Sequence, residues 1–182
     1  MKLLSTFLLL VSFSALRLSA VEVPAKVHEL AKGELAALAS DPVLVAAIQA
    51  QNAQGTTLDA IKAADKRWMD TAGVADFMKA IIDSPAGAHV RAWRQKHAYV
   101  SEVIVMDNQG ANVAITEKTS DYWQGDEKKF TESFKDGGVT FVDKVKFDDS
   151  TQTYSVQVSV PVRDAAGACI GVICYGIDIE NI

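Results

Sequence analysis

Residues 154–162 have the sequence YSVQVSVPV, in which apolar and polar side chains alternate. Side chains on a β-strand point to opposite faces in turn, so this alternation predicts a strand with one buried face. The valines would face a core. Gln157 and Ser159 would lie on the polar face, where they either hydrogen-bond a ligand or meet solvent. Residues 168–179 are mostly apolar, which predicts a neighbouring strand with both faces covered, at the centre of a sheet.

Three further strands precede these two. Residues 103–106 (VIVM) and 112–116 (NVAIT) flank the turn-forming sequence DNQG, residues 107–110, and this pattern predicts a β-hairpin. Residues 126–134 predict a short helix that Gly137 and Gly138 bring to an end. Residues 139–147 predict the remaining strand, either straight or bent. The second half of the chain is therefore expected to form five antiparallel strands with one inserted helix.

The first half of the chain has helical patterns. Apolar residues recur at helical spacing over residues 27–39, and Asp41 and Pro42 then predict the cap and first turn of a helix that reaches about residue 51. Residues 57–69 predict a third helix with Leu58, Ile61 and Trp68 facing inward, and two shorter helices follow near 74–82 and 85–96. Helices first and antiparallel strands second predict an α+β fold.

The N-terminus predicts export. Lys2 precedes an uncharged apolar run over residues 3–16, and Leu18-Ser19-Ala20 offers a small residue for cleavage. This order is typical of a secretory signal peptide, here residues 1–20, and the run is shorter than the roughly 20 residues of a membrane span. We therefore expect a periplasmic or secreted protein. The alternative is an uncleaved signal that anchors the chain in the inner membrane.

The composition disfavours several classes of function. The formal net charge is −5, which is unsuited to nucleic acid or anionic membranes. Cys169 and Cys174 lie five positions apart in one predicted strand, so they point to opposite faces and lie beyond disulfide reach. The histidines lack metal-ligand spacing, and neither a phosphate-binding glycine loop nor a nucleophile elbow occurs. We expect no metal, no cofactor and no enzymatic activity.

Several motifs resemble a known family. They are residues 119–127 (TSDYWQGDE), 160–164 (VPVRD), Gly167, 170–173 (IGVI) and 176–179 (GIDI), together with Asp41-Pro42, 51–53 (QNA), Asp65 and Trp68. The chain resembles the Cache (PDC) sensor domains, the PAS-like extracytoplasmic modules of bacterial chemoreceptors and sensor kinases. The resemblance implies long N-terminal helices, within residues 21–98, on one face of a five-stranded antiparallel sheet. It implies a ligand pocket on the other face, under a loop and short-helix lid at residues 114–134, within the sheet part 99–182.

The resemblance also implies roles for particular residues. Asp178, near the end of the last strand, would pair with a ligand amine, unless it simply ends the strand in solvent. Family members that bind amino acids hold the ligand carboxylate with an arginine in the lid. Here the corresponding lid sequence is DYWQ, residues 121–124, and it has no arginine. An arginine from elsewhere, such as Arg94, would have to take that role.

The lid residues themselves indicate a chemistry. Tyr122 and Trp123 would line a pocket, with the alternative that one of them fills the core. Aromatic faces beside Asp121 and Asp126 suit a cationic or amine ligand. For Asp126, a role as the cap of the short helix is an equal alternative.

These observations predict an exported, stand-alone Cache sensor domain. It would bind a small polar or amine-bearing metabolite, of the amino acid, amine or carboxylate class, and signal through a membrane receptor or sensor kinase. One alternative is a protein–protein interaction module with a degenerate pocket, which would dock onto a membrane receptor or pair into a homodimer through its N-terminal helices. A hydrolase that uses Asp121, Asp126 or Glu127 as an acid–base pair is the weaker alternative.

Overall fold

The computed structural model describes residues 22–148 and 152–182, so the predicted signal peptide, residues 1–20, lies outside the described residues. The helices are α1 (Ala25–Lys32), α2 (Glu34–Ala39), α3 (Pro42–Asn52), α4 (Leu58–Asp70), α5 (Asp76–Ile82), α6 (Pro85–Arg94) and α7 (Lys128–Phe134), which a 3-10 turn, Lys135–Gly137, extends. The strands are β1 (Val100–Met106), β2 (Asn112–Ile115), β3 (Phe141–Val142), β4 (Lys146–Asp148), β5 (Thr153–Arg163) and β6 (Cys169–Asp178).

The strands form one antiparallel sheet in the order β2-β1-β6-β5, and β3 and β4 both pair with the outer edge of β5. This arrangement confirms the α+β prediction, the β1–β2 hairpin and the central place of β6. The strand expected over residues 139–147, either straight or bent, is interrupted and forms the two short strands β3 and β4. The Asp143 carboxylate accepts hydrogen bonds from Lys144 N at 2.9 Å and Lys146 Nζ at 2.6 Å, and this local turn separates β3 from β4.

The first face of the sheet is covered by α1, α2, α3 and α6. Alternate residues of β5 and β6 pack there, and the hydroxyl of the fully buried Tyr175 donates a hydrogen bond of 2.9 Å to Leu35 O in α2. One continuous helix was expected over residues 27–39, but Gly33 has non-helical backbone angles and divides it into helices of eight and six residues. The N-terminal helices are therefore short. The Asp41 cap of α3 is confirmed by its 2.8 Å bond from Val43 N.

The described helices can be compared with a membrane span, which needs about 20 apolar residues in one helix. Among the described residues, no single helix combines the necessary length and hydropathy. The pair Ala25–Ala39 and Pro42–Asn52 meets those two criteria only when taken together, and it is bent by 64°. Both parts contribute buried side chains to the core on the first sheet face, among them Leu35 and Ile48.

The second face of the sheet carries a separate core. Trp68 of α4, Met78 of α5 and Phe130 of α7 pack there against Ile104 and Cys174, among other residues of β1 and β6. The N-terminal helices were expected on one face and the short lid helix on the other. The structure agrees for α1, α2, α3, α6 and α7, whereas α4 and α5 lie on the second face beside α7. Leu58 was predicted to face this core but is 41% exposed, since it lies roughly 60–80° around α4 from Ile61 and Trp68.

Candidate functional site

The segment between β2 and α7 crosses the edge of the sheet and, with α7, forms the lid, residues 116–134. It begins after Ile115, because residue 114 belongs to β2. Asn112 N donates a hydrogen bond of 3.0 Å to Tyr122 O, and Gln124 N donates one of 2.8 Å to Gly110 O. Residues 122–124 of the lid thus continue the backbone pairing of the sheet beyond β2, and main-chain bonds anchor the lid at this point.

A second set of bonds ties the lid to α4. Asp65 Oδ1 accepts hydrogen bonds from both Tyr122 N, at 2.8 Å, and Trp123 N, at 3.0 Å. Trp68 Nε1 donates a bond of 2.8 Å to Thr119 O. One carboxylate and one indole of the same helix therefore hold the lid at two points.

Replacing Asp65 with alanine removes the acceptor for two backbone N–H groups. We expect the free energy of unfolding to fall by about 1–2 kcal/mol, because each half-buried donor must find water instead. Urea denaturation followed by circular dichroism measures this change. Asp65→Asn keeps an acceptor oxygen and should cost clearly less. Equal losses in the two variants would contradict the assigned role of these hydrogen bonds.

The main cavity lies on the second sheet face, between the sheet, the lid and the β3–β4 segment, and has a volume of about 470 Å³. Its floor is formed by sheet residues, and its walls by charged side chains. The lining residues are Ser101, Glu102, Glu117, Glu127, Asp143, Lys144, Lys146, Phe147, Ser155, Gln157 and Gly176. This is the location that the Cache resemblance implied.

An irregularity in β1 shapes the floor of the main cavity. The β1–β6 pairing shifts between Val100, opposite Ile177, and Glu102, opposite Gly176, so Ser101 is an extra residue in β1. Such a bulge disrupts the alternation of side chains, and here both Ser101 and Glu102 line the cavity. A Cβ atom on Gly176 would lie 2.4 Å from Ser101 Oγ and 2.9 Å from Glu102 Cγ. Glycine at residue 176 therefore leaves room for both side chains.

The lining of the main cavity is acidic. It contains four carboxylates, Glu102, Glu117, Glu127 and Asp143, against two ammonium groups, Lys144 and Lys146. Burial opposes the ionisation of Asp143, but the hydrogen bonds from Lys146 and Lys144 N and the nearby positive charge outweigh it and lower the pKa of Asp143.

An ion pair between a buried lysine and a half-exposed glutamate lies at the edge of the cavity. Lys129 of α7 has a side chain that is only 9% exposed, and its Nζ lies 3.2 Å from Glu127 Oε2. A buried ammonium group needs a compensating charge, so Glu127 is held in place by Lys129.

Cys174 and Ser159 lie beneath the lid. They are paired across β5 and β6 and both are fully buried. Burial raises the pKa of the Cys174 thiol to about 12. Cys169 is free as well, which agrees with the prediction that these cysteines form no disulfide. Both Ser159 and Cys174 therefore contribute to the packing below α7.

A second concave site, which we call the α4–lid groove, lies outside the main cavity and has a volume of about 510 Å³. It is lined by Lys62, Asp65, Met69, Asp121, Trp123, Asp126 and Glu127. Trp123 Nε1 donates a hydrogen bond of 2.7 Å to Gln109 O, which fixes the indole ring. Lys62 Nζ lies 4.7 Å from the centroid of that ring, within the range of a cation–π contact.

The structure divides the residues that the sequence grouped into one site. Gln157 lines the main cavity, whereas Asp121, Trp123 and Asp126 line the groove. Asp126 is not the cap of α7. The helix begins at Lys128, so the residue at its N-cap position is Glu127.

The remaining predicted residues make local contacts. Tyr122 packs on Trp68, with ring centroids 5.8 Å apart, and burial and then the charge of Asp107 raise the pKa of Tyr122. The Asp178 carboxylate accepts bonds from Glu180 N at 2.9 Å and Asn181 Nδ2 at 2.8 Å, which closes the turn after β6. Arg94 Nε donates a bond of 3.1 Å to Val100 O.

Sequence reasoning missed most of the charged residues that line the main cavity. Glu102 interrupts an apolar strand, and that position is a signal of a polar site that could have been recognised. Asp143, Lys144 and Lys146 lie where a regular strand was expected, and nothing in their pattern marks them as cavity residues. Among the described residues, no group of three or more His, Cys, Asp and Glu side chains could hold a metal ion.

Neither a protein-family model nor a curated protein matches the chain. Among the solved structures similar to it are ligand-binding or sensor domains of bacterial chemoreceptors and of a histidine kinase. The sensor domain of the V. cholerae histidine kinase DctB has 15% identity and a TM-score of 0.48, over 86% of this chain and 51% of that chain. The ligand-binding domain of the Campylobacter jejuni chemoreceptor Tlp3, in complex with 4-methylisoleucine, has 16% identity and a TM-score of 0.42, over 84% and 60%.

A third similar structure is the ligand-binding domain of the Pseudomonas aeruginosa amino acid chemoreceptor PctC, in complex with GABA. It has 15% identity and a TM-score of 0.38, over 82% of this chain and 65% of that chain. The chain therefore spans between about half and two-thirds of the length of these three solved chains.

Proposed function

We propose that the protein is an exported Cache-type sensor domain that binds a small polar, amine-bearing metabolite in the main cavity and signals through another protein. The observation that carries this proposal is an acidic cavity of about 470 Å³ between sheet and lid. That volume falls within the range of small-molecule sites in proteins. The predicted cleavage near residue 20 is tested by sequencing the N-terminus of the mature protein.

The lining of the cavity supports an amine as the group recognised. Carboxylates from β1 and the lid, Glu102, Glu117 and Glu127, share the cavity with the hydrogen-bonding side chains Ser155 and Gln157. An ammonium group gains a charge-assisted hydrogen bond with any of these carboxylates. Lys144 and Lys146 lie in the same cavity and would suit a carboxylate on the same ligand. A zwitterion with separated charges therefore matches the site better than a simple carboxylic acid.

Signalling would follow from movement of the lid. Glu117 and Glu127 belong to the lid, whereas Gln157 and Gly176 belong to the sheet, so a ligand between them contacts both. A ligand that binds the closed arrangement more tightly than an open one shifts the population toward closure. The lid is bonded to α4, so that helix would move with it.

A thermal-shift screen tests the proposal with panels of primary amines, zwitterionic amino acids and small carboxylates. At a concentration 100 times its Kd, a bound amine stabilises the protein by about 2.7 kcal/mol, and the Tm rises accordingly. Glu117→Gln and Gln157→Leu alter the cavity without removing a bond that supports the fold, and we expect them to reduce or abolish this rise.

Glu29→Gln is the matched control, because Glu29 lies on the exposed side of α1, where its carboxylate lies 3.7 Å from Lys26 Nζ. It makes the same change of charge as Glu117→Gln but far from the cavity, so the ligand-induced rise in Tm should persist. The proposal is wrong if amines stabilise the Glu117→Gln and Gln157→Leu variants as strongly as the unmodified protein.

A further inference from the structure

The outward face of α4 is partly apolar. With 100° of rotation per residue, Leu58, Lys62, Asp65 and Met69 fall within about 60° of one another around the helix. Leu58 is 41% exposed and Met69 is 52% exposed, so two large apolar side chains on this face remain in contact with solvent. They lie three turns apart, which corresponds to about 16 Å along the axis. The face therefore offers an elongated, partly apolar surface.

The opposite wall of the α4–lid groove is aromatic and acidic. The Trp123 ring forms its centre, and Asp121, Asp126 and Glu127 surround it. With Asp65, the groove has four carboxylates against the single ammonium group of Lys62. Two of these acids are already engaged, Asp65 with two backbone N–H groups and Glu127 with the ammonium group of Lys129. Asp121 and Asp126 therefore set the charge of the rim.

The position of Lys62 indicates that this wall accommodates an ammonium group. Its ammonium group lies 4.7 Å from the centroid of the Trp123 ring, and the groove acids surround the same space. Attraction between a cation and an exposed aromatic face contributes only about 0.5–1 kcal/mol, so another cation can replace Lys62 at small cost. The side chain of Lys62 is largely exposed and free to turn into solvent.

We propose that the α4–lid groove is a docking surface for a basic segment of a partner protein. A lysine or arginine of that segment takes the place of Lys62 over Trp123, and its apolar side chains pack on Met69 and Leu58. Charge complementarity favours a basic partner, and the length of the α4 face favours a segment over a small cation. The proposal does not require a metabolite in the main cavity, so it stands or fails separately from the proposed function.

The test titrates the mature protein, without metabolite, against a fluorescein-labelled peptide that carries leucine and lysine at helical spacing, and follows the anisotropy. We expect saturable binding at moderate salt. Lys62→Ala should tighten it about 2- to 5-fold, because the Trp123 face is then vacant. Lys66→Ala is the matched control on the same helix, since Lys66 lies off the groove and pairs with Asp70 at 2.6 Å. Equal effects of the two lysine variants overturn the proposal.

A second pair of variants separates docking from general charge attraction. Asp126→Asn should weaken peptide binding by at least the same 2- to 5-fold. Asp59 is an exposed acid in the first turn of α4 and lies outside the groove, so Asp59→Asn should leave peptide binding unchanged. Three outcomes overturn the proposal. The first is absence of peptide binding. The second is full displacement of the peptide by tetramethylammonium at the same concentration as the peptide, which would show that the groove binds any small cation. The third is self-association of the protein that Asp126→Asn abolishes, which would make a second copy the occupant.

Discussion

Replacing Trp68 with alanine is expected to lower the free energy of unfolding by about 3–5 kcal/mol, the largest loss for any substitution near the candidate site. Trp68 is 1% exposed and packs against Phe77 and Tyr122, with ring centroids 6.1 and 5.8 Å away. Removing the indole leaves a cavity in the second core and also deletes the bond to Thr119 O. Guanidinium denaturation followed by circular dichroism measures the loss.

Two further variants separate the packing of Trp68 from its hydrogen bond. Trp68→Phe keeps most of the buried aromatic surface and removes the N–H donor, so a loss of about 1–2 kcal/mol is expected. Trp93→Ala is the comparison on the first sheet face, where a half-buried indole stacks on His97 at 3.9 Å. If Trp68→Ala cost no more than Trp93→Ala, the second core would not support the lid as described.

Gly171→Ala is expected to cost about 3 kcal/mol, because the added methyl has no space. A Cβ atom at residue 171 would lie 2.3 Å from Met106 O, a backbone atom of β1, and 3.0 Å from Ile48 Cγ2. The carbonyl cannot rotate away without breaking the β1–β6 pairing, so the strand itself must shift. Chemical denaturation at neutral pH provides the measurement.

Gly176→Ala is the matched change five residues along the same strand. Its Cβ would meet Ser101 Oγ and Glu102 Cγ, which are side-chain atoms that can turn away. We therefore expect a loss of at most about 1 kcal/mol in stability. The displaced side chains would enter the main cavity, so the Tm rise produced by an amine should be lost. Equal destabilisation by the two glycine variants would contradict this distinction between fold and site.

The sheet could be predicted from the sequence because the order of its apolar and polar residues is compatible with only one kind of secondary structure. The valines of β5 alternate with polar residues, and only a strand brings all of them to one core. The uniformly apolar sequence of β6 likewise required a strand covered on both faces. Turn residues fixed the hairpin of β1 and β2. These features depend on neighbours in the chain, which a sequence displays directly.

The distribution of the helices and of the site residues could not be predicted in the same way. Nothing local in α4 indicates that it crosses to the second sheet face, because its amphipathic pattern fits either face. Trp123 and Gln157 were assigned to one pocket, yet the lid bonds to Asp65 turn Trp123 toward α4. The position of Glu102 in the main cavity depends on a bulge, which apolar periodicity does not reveal.

Glu127 lines both the main cavity and the α4–lid groove, and the buried Lys129 holds its carboxylate. The two sites therefore draw on one negative charge. A metabolite amine that attracts Glu127 would lower the affinity of the groove for a docked cation by some factor. Thermodynamic reciprocity then requires that the docked partner lower the affinity of the main cavity for the metabolite by the same factor. If both sites act as proposed, the metabolite concentration that gives a half-maximal response would rise with the abundance of the partner.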